Sequence, residues 1–233
     1  MKISTLSGLL MLLLAACVGP LDDTIVAETS DWYVLTAPDA RPIEAVHGSL
    51  DGTLVITTGP RIYTTSDRGK TWRIANYKDK VGLFGFMEKG DTLIVLSTKR
   101  TEGANTIANR SYAMLPSFYS LDQGANWLPY KQRYNYDSVK VPLNRVLSGS
   151  GTEYAINYKE VKYQDATYIE TAGIISSTGK EINLPQKHQL SSLYCDKQSR
   201  LYICASAPVC ESGADLTYCD DAYGTLYISK EPM

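Results

Sequence analysis

Two stretches of one design constrain this chain more than anything else in it: Thr65-Ser66-Asp67-Arg68-Gly69-Lys70-Thr71-Trp72 and Ser120-Leu121-Asp122-Gln123-Gly124-Ala125-Asn126-Trp127. Both fit S/T-x-D-x-G-x-x-W. Each follows alternating aromatic and polar residues and ends on a Trp that opens a further extended run, the pattern of a tight turn between two strands. The Asp carboxylate can bond backbone N–H groups across the turn, the Ser or Thr hydroxyl adds a second local bond, and the Gly can take a positive φ. The candidate turn residues are therefore Thr65, Asp67, Gly69 and Trp72, and Ser120, Asp122, Gly124 and Trp127.

This pattern resembles the Asp-box, or BNR repeat, of sialidases and many other β-propellers. The resemblance implies an all-β propeller. It implies little about chemistry, because in those families the boxes lie in turns remote from the catalytic centre. The rest of the chain repeats in step with the boxes. Residues 53–57, 92–96, 153–157 and 201–205 are similar short apolar strands; each follows another apolar run and precedes a third strand that ends near a box position. The third cycle carries a degenerate box, Ser177-Thr178-Gly179-Lys180-Glu181-Ile182, with Ile182 in the place of Trp. The fourth reaches Tyr227-Ile228-Ser229, which aligns with Tyr63-Thr64-Thr65, and has no fourth strand after it. Trp32-Tyr33-Val34-Leu35 matches Trp72-Arg73-Ile74-Ala75 in kind and can supply that strand from the other end of the chain. The expectation is a small β-propeller of four blades, closed by the N-terminal strand so that no sheet edge is left open at the join. A β-sandwich or an incomplete propeller is the alternative.

The chain opens with Met1-Lys2, an apolar run over residues 9–14 and Leu14-Ala15-Ala16-Cys17. A basic start, a short apolar run and small residues describe a secretory signal. The last four residues resemble a bacterial lipobox, which implies cleavage before Cys17 and acylation of its thiol and new amine. Val18 after the Cys implies, by the family's sorting rule, the outer membrane and its periplasmic leaflet. The expected organisation is a signal peptide over 1–16, a lipidated tether over 17–30 and one propeller domain over 31–233. A formal net charge of −2 with no basic block argues against a nucleic-acid partner.

Apart from Cys17, the cysteines are Cys195, Cys204, Cys210 and Cys219, an even set suited to two disulfides in an oxidising compartment. Local pairs, Cys195–Cys204 and Cys210–Cys219, are the favoured connectivity. A four-thiolate zinc site is the alternative, although no pair has the two-residue spacing of a zinc knuckle. We expect no metal and no cofactor.

Nor does a catalytic set emerge. Sialidases clamp a carboxylate with three arginines, whereas Arg41, Arg61, Arg110, Arg133 and Arg145 stand in no matching motif and Arg68 belongs to a turn. The two histidines, His47 and His188, are far apart in sequence, and no G-x-S-x-G elbow occurs. Asp215, Asp220 and Asp221 follow no calcium-loop spacing.

What remains is composition. Tyrosine numbers 17 against 3 phenylalanines and gathers in the second half. Tyr130, Arg133, Tyr134 and Tyr136 at the connection around 131–141, with Tyr158 and Tyr163, fall where no strand period is evident and form the candidate partner-binding set. Tyr with Arg suits protein recognition, because a rigid amphipathic ring supplies contact area at little entropic cost. The polar segment 101–111 reads as a further loop. The expected function is a non-catalytic, membrane-anchored, monomeric protein that binds a protein partner. An immunity lipoprotein that neutralises a secreted antibacterial effector, such as a type VI hydrolase, fits that type and address. An envelope-assembly scaffold and a carbohydrate-binding, sialidase-like protein are the alternatives.

Overall fold

Residues 27–103, 109–131, 139–163, 165–211 and 216–233 are described by the computed structural model. They are built from strands, with no helix among them. In chain order, β1 (Ala27–Glu28) and β2 (Trp32–Thr36) precede the first complete blade, which holds β3 (Ala45–Gly48), β4 (Leu54–Thr57), β5 (Ile62–Thr65) and β6 (Arg73–Ile74). The second blade holds β7 (Gly85–Lys89), β8 (Thr92–Glu102), β9 (Arg110–Ser120) and β10 (Leu128–Pro129), with β11 (Val141–Pro142) paired to the far half of β9. The third comprises β12 (Arg145–Leu147), β13 (Glu153–Tyr163), β14 (Ala166–Ser176) and β15 (Glu181–Ile182). The fourth begins with β16 (Leu190–Cys195) and β17 (Leu201–Ala205), makes a small excursion through β18 (Val209–Glu211) and β19 (Thr217–Tyr218), and returns as β20 (Thr225–Ser229).

The fourth blade is completed from the other end of the chain. β2 lies antiparallel to β20, with Trp32 opposite Ser229 and Thr36 opposite Thr225, so the sheet runs β16, β17, β20, β2. This is a four-bladed β-propeller closed by its N-terminal strand, as the repeat predicts. β1 adds a further strand outside β2, so the sheet starts before residue 31 and β2 is not its outer edge. The three tryptophans do share one place. Extending the pairing of Tyr63 with Ile74 and of Tyr119 with Leu128 sets Trp72 opposite Thr65 and Trp127 opposite Ser120, as Trp32 is set opposite Ser229.

The core lies between the blades, because a propeller strand shows alternate residues to its two neighbours. In β17, Tyr202 and Cys204 join Leu35, Val46, Leu54 and Ile56 between blades four and one, while Leu201, Ile203 and Ala205 join Tyr154, Ile156 and Ile174 between blades three and four. Val55, Ile62, Leu93, Val95, Phe118 and Trp127 fill the space between blades one and two. The apolar cluster on the other face of blade two is smaller: Ile94, Leu96 and Ala113 with Leu143, which leads into blade three. There the join relies more on polar contacts. Asn144 accepts from the Ser111 N–H (2.9 Å), donates to the Asn109 carbonyl (2.7 Å), and its own carbonyl accepts from the Ile156 N–H (2.9 Å).

Four sequence expectations need correction. The third-blade turn is shorter than the boxes: Ser176 faces Lys180 across Ser177-Thr178-Gly179, so Lys180 occupies the Trp place and Ile182 the place of Ile74. Cys195 and Cys204 are not bonded to each other. Within the β16–β17 hairpin Cys195 pairs with Leu201 and Cys204 with Ser192, which puts the two on opposite faces and three rungs apart. At about 3.3 Å per rung no disulfide can span that. The other expected pair, Cys210–Cys219, is formed and closes the β18–β19 hairpin. Tyr158 and Tyr163 lie within β13, and residues 101–102 and 110–111 of the expected loop 101–111 belong to β8 and β9, because these two hairpins extend past the blade body; 104–108 lie outside the described residues. The extension is irregular at one level in each, between Val95 and Leu96 and between Ile156 and Tyr158, and such bulges redirect a strand.

Candidate functional site

The two repeated turns are built alike. Thr65 Oγ1 donates to Asp67 Oδ1 (2.7 Å) and accepts from the Gly69 N–H (3.0 Å), and the Thr71 N–H donates to the same carboxylate (2.9 Å). Ser120, Asp122, Gly124 and Asn126 repeat those contacts at 2.8, 2.8 and 2.9 Å. Partial burial would raise the Asp67 pKa, but the hydrogen bonds from Thr71 and Thr65 outweigh it and hold the carboxyl at about 2. Asn126, through side chain and backbone, lowers that of Asp122.

The Gly requirement is tertiary as well as local. Gly69 and Gly124 sit at φ +83° and +92°, and a Cβ there would come within 2.5 Å of Leu35 Cδ2 and 2.8 Å of Val55 Cγ2 respectively. Each turn is thus seated on the preceding blade. The second is fastened further where Asn76 donates to Ala125 and accepts from the Trp127 N–H, while the Trp127 indole N–H donates to Gly124 O (2.8 Å). These turns are joints of the ring.

A groove on blade two is the more open feature. A cavity of about 660 Å³ is lined by Lys89, Thr92, Ile94, Tyr119, Leu128, Pro129, Tyr130 and Lys131. Register explains why these residues meet. Lys89 pairs with Thr92, Met87 with Ile94, Ile94 with Tyr119 and Tyr119 with Leu128, so one face carries Lys89, Thr92, Ile94, Tyr119 and Leu128; Tyr130, two residues beyond Leu128, shares it, and Pro129 and Lys131 border it from the same segment. The intervening residues Leu93, Val95, Phe118 and Trp127 face blade one. Tyr119 and Tyr130 meet edge to face, their centroids 6.1 Å apart. Leu128 remains 53% exposed, an apolar side chain left on an open wall. No carboxylate is among the described lining residues.

A second concavity, about 250 Å³, lies where inner strands converge and includes His47, Glu88, Asp91 and Gln123. His47 Nε2 is 3.9 Å from Glu88, and the ring packs against Tyr194 at 5.5 Å. Burial lowers the His47 pKa against the opposing pull of Glu88. His188 is buried elsewhere: Nδ1 meets Ser206 O (2.9 Å) and Nε2 meets the Tyr227 hydroxyl (2.8 Å). Donation from Nδ1 to the carbonyl leaves Nε2 to accept from Tyr227, and burial favours this neutral ring by lowering its pKa. Desolvation pushes the Cys195 thiol up to about 11, which keeps it protonated at neutral pH. Among the described residues no three His, Cys, Asp or Glu side chains converge as a metal site would require.

Of the candidate binding residues, Tyr130 lines the groove. Tyr158 packs instead against the core between blades three and four, where burial raises its pKa. Tyr163 ends β13, and its side chain lies outside the described set, as do Cys17, Arg133, Tyr134 and Tyr136. Sequence reading missed Lys89, Ile94, Tyr119 and Leu128. The available signal was that β8 and β9 carry apolar or aromatic residues at odd and even positions alike, which marks a sheet with two faces to cover.

No protein-family model matches the chain, and no curated protein does. Among solved structures, it is similar to YCF48 bound to D1 peptide, at 12% identity over 78% of this chain and 67% of that one, with a TM-score of 0.30. It is also similar to YCF48 from Cyanidioschyzon merolae, at 9% identity over 84% and 75% of the two chains, with a TM-score of 0.29. The propeller assignment rests on the strand pairing itself, and similarity at this level transfers no activity or partner to this chain.

Proposed function

We propose that this chain is a non-catalytic propeller of Asp-box type that binds a protein partner, held by lipid at Cys17 to the periplasmic leaflet of a bacterial outer membrane. The observation that carries the binding reading is the groove on blade two. It offers two tyrosines and an exposed leucine on a rigid sheet, the amphipathic and pre-ordered surface that protein recognition favours. Within protein binding, the reading we favour is inhibition: an immunity protein that neutralises a secreted antibacterial effector such as a type VI hydrolase. The lipobox-like leader is its support, since an envelope-attacking enzyme would have to be met at the periplasmic face.

The test is capture with the full-length protein, purified in mild detergent, from periplasmic and secreted fractions of its source cells, read by mass spectrometry. Recovery of one stoichiometric hydrolase whose activity falls when this protein is added supports inhibition. Recovery of envelope-assembly machinery replaces it with scaffolding. Retention on a glycan array with no protein recovered overturns the protein-binding reading.

A further inference from the structure

The chemistry of the groove is more specific than apolar contact. Its wall is Ile94, Tyr119, Leu128 and Tyr130, and its charged rim is Lys89 and Lys131. Neither lysine forms an ion pair with any described residue, whereas Lys140, Lys197 and Lys230 each do. An apolar floor flanked by two exposed ammonium groups, with no carboxylate among the described lining residues, is complementary to a ligand that carries apolar side chains and negative charge together. The cavity of about 660 Å³ has room for a few residues of extended chain. Pro129 lies on the outer strand β10 and has no N–H to offer, so recognition here works through side chains more than by adding a strand to the blade.

We infer that the blade-two groove docks an extended acidic peptide segment of the partner, seating apolar side chains against Tyr119 and Tyr130 and carboxylates on Lys89 and Lys131. This deepens the protein-binding reading and rests on it. Charge sets the encounter and the choice among partners, while the aromatic wall holds the segment in place.

Fluorescence anisotropy with full-length protein in neutral detergent tests it. The probe is a labelled peptide Gly-Glu-Glu-Phe-Ser-Ile-Glu-Glu-Gly, set against its counterpart with Lys in place of every Glu. The acidic probe is expected to bind saturably and the basic one at least about tenfold more weakly. Lys89→Glu with Lys131→Glu should weaken the acidic probe by about tenfold or more and reverse the preference. Tyr130→Ser should weaken it without changing the preference. Lys180→Glu on blade three, a single charge reversal outside the groove, should leave it within about twofold. Thermal melting confirms that each variant folds, which is expected because both rim lysines are exposed. Equal binding of the two probes, no binding of the acidic one, or indifference to the rim reversal overturns the inference, as does binding to anionic vesicles that Tyr130→Ser leaves intact. The two readings fail separately. A native partner captured equally by wild type and the rim-reversed variant keeps protein binding and removes this groove from it.

Discussion

Closure by β2 makes a quantitative demand on Leu35. This residue is 1% exposed in the core between blades four and one, where it packs with Leu226 and Ile228, and its side chain underlies the Gly69 turn. Leu35→Ala removes three buried carbons, about 2.4 kcal/mol at about 0.8 kcal/mol each. The cavity left behind raises the cost to about 3–4 kcal/mol, since close-packed neighbours on two blades relax little. For a domain of this size each kcal/mol lowers Tm by about 2–4 °C, so the variant should melt about 6–16 °C below wild type. The assay is thermal unfolding followed by circular dichroism, with Leu121→Ala as the control. Leu121 is 67% exposed in the second turn and should move stability by less than about 0.5 kcal/mol. If the two variants melt together, β2 is not docked on β20 and the closed ring is wrong.

Further outcomes follow from the same geometry. Gly69→Ala and Gly124→Ala should each cost more than about 1 kcal/mol, from positive φ and the clash with the neighbouring blade. Gly179→Ala, at φ +82° with open space around it, should cost less, and equal melting temperatures for the three would remove the claim that the boxes are seated on neighbours. The Asp67 carboxyl is held near 2 in the fold against an ordinary 3.8, so the stability it confers is complete above about pH 4 and lost as pH falls toward 2. Asp67→Asn should flatten that acid limb in pH-dependent denaturation. Burial lowers the His188 pKa, so its contribution is present above the ordinary 6.5 and declines as pH falls below it; His188→Gln should reduce the loss of Tm between pH 7 and 5. Peptide mapping under denaturing, non-reducing conditions should find Cys210 linked to Cys219, with Cys195 and Cys204 alkylated. A Cys195–Cys204 peptide would refute the hairpin register.

Much of the architecture is legible in the chain because its determinants are local. A box turn satisfies its own backbone through residues at most seven positions apart, so Thr65-x-Asp67-x-Gly69-x-x-Trp72 can be recognised without a fold. Tyr227-Ile228-Ser229 without a following strand, and an unmatched Trp32 strand near the other end, imply their own pairing by the same repetition. The third turn misled because Ser177-Thr178-Gly179 retains box-like residues in a shorter loop, and turn length is set by which residues pair across it.

What only the tertiary structure decided depends on register. Whether Cys195 can reach Cys204 is a matter of face and rung, and moving one strand by one residue exchanges the faces. Tyr158 looked like a loop residue until β13 carried it into the space between two blades. The groove arises because β8 and β9 are apolar on both faces, one of which is covered by blade one while the other packs with Leu143, Phe84, Val139 and Val141 and leaves Leu128, on the outer strand, exposed. Residues separated by up to 41 positions, from Lys89 to Tyr130, come to share one face only when three strand pairings set them there. Local chemistry writes the turns and the alternation. Long-range packing decides which of the alternating faces becomes core and which is left to meet a partner.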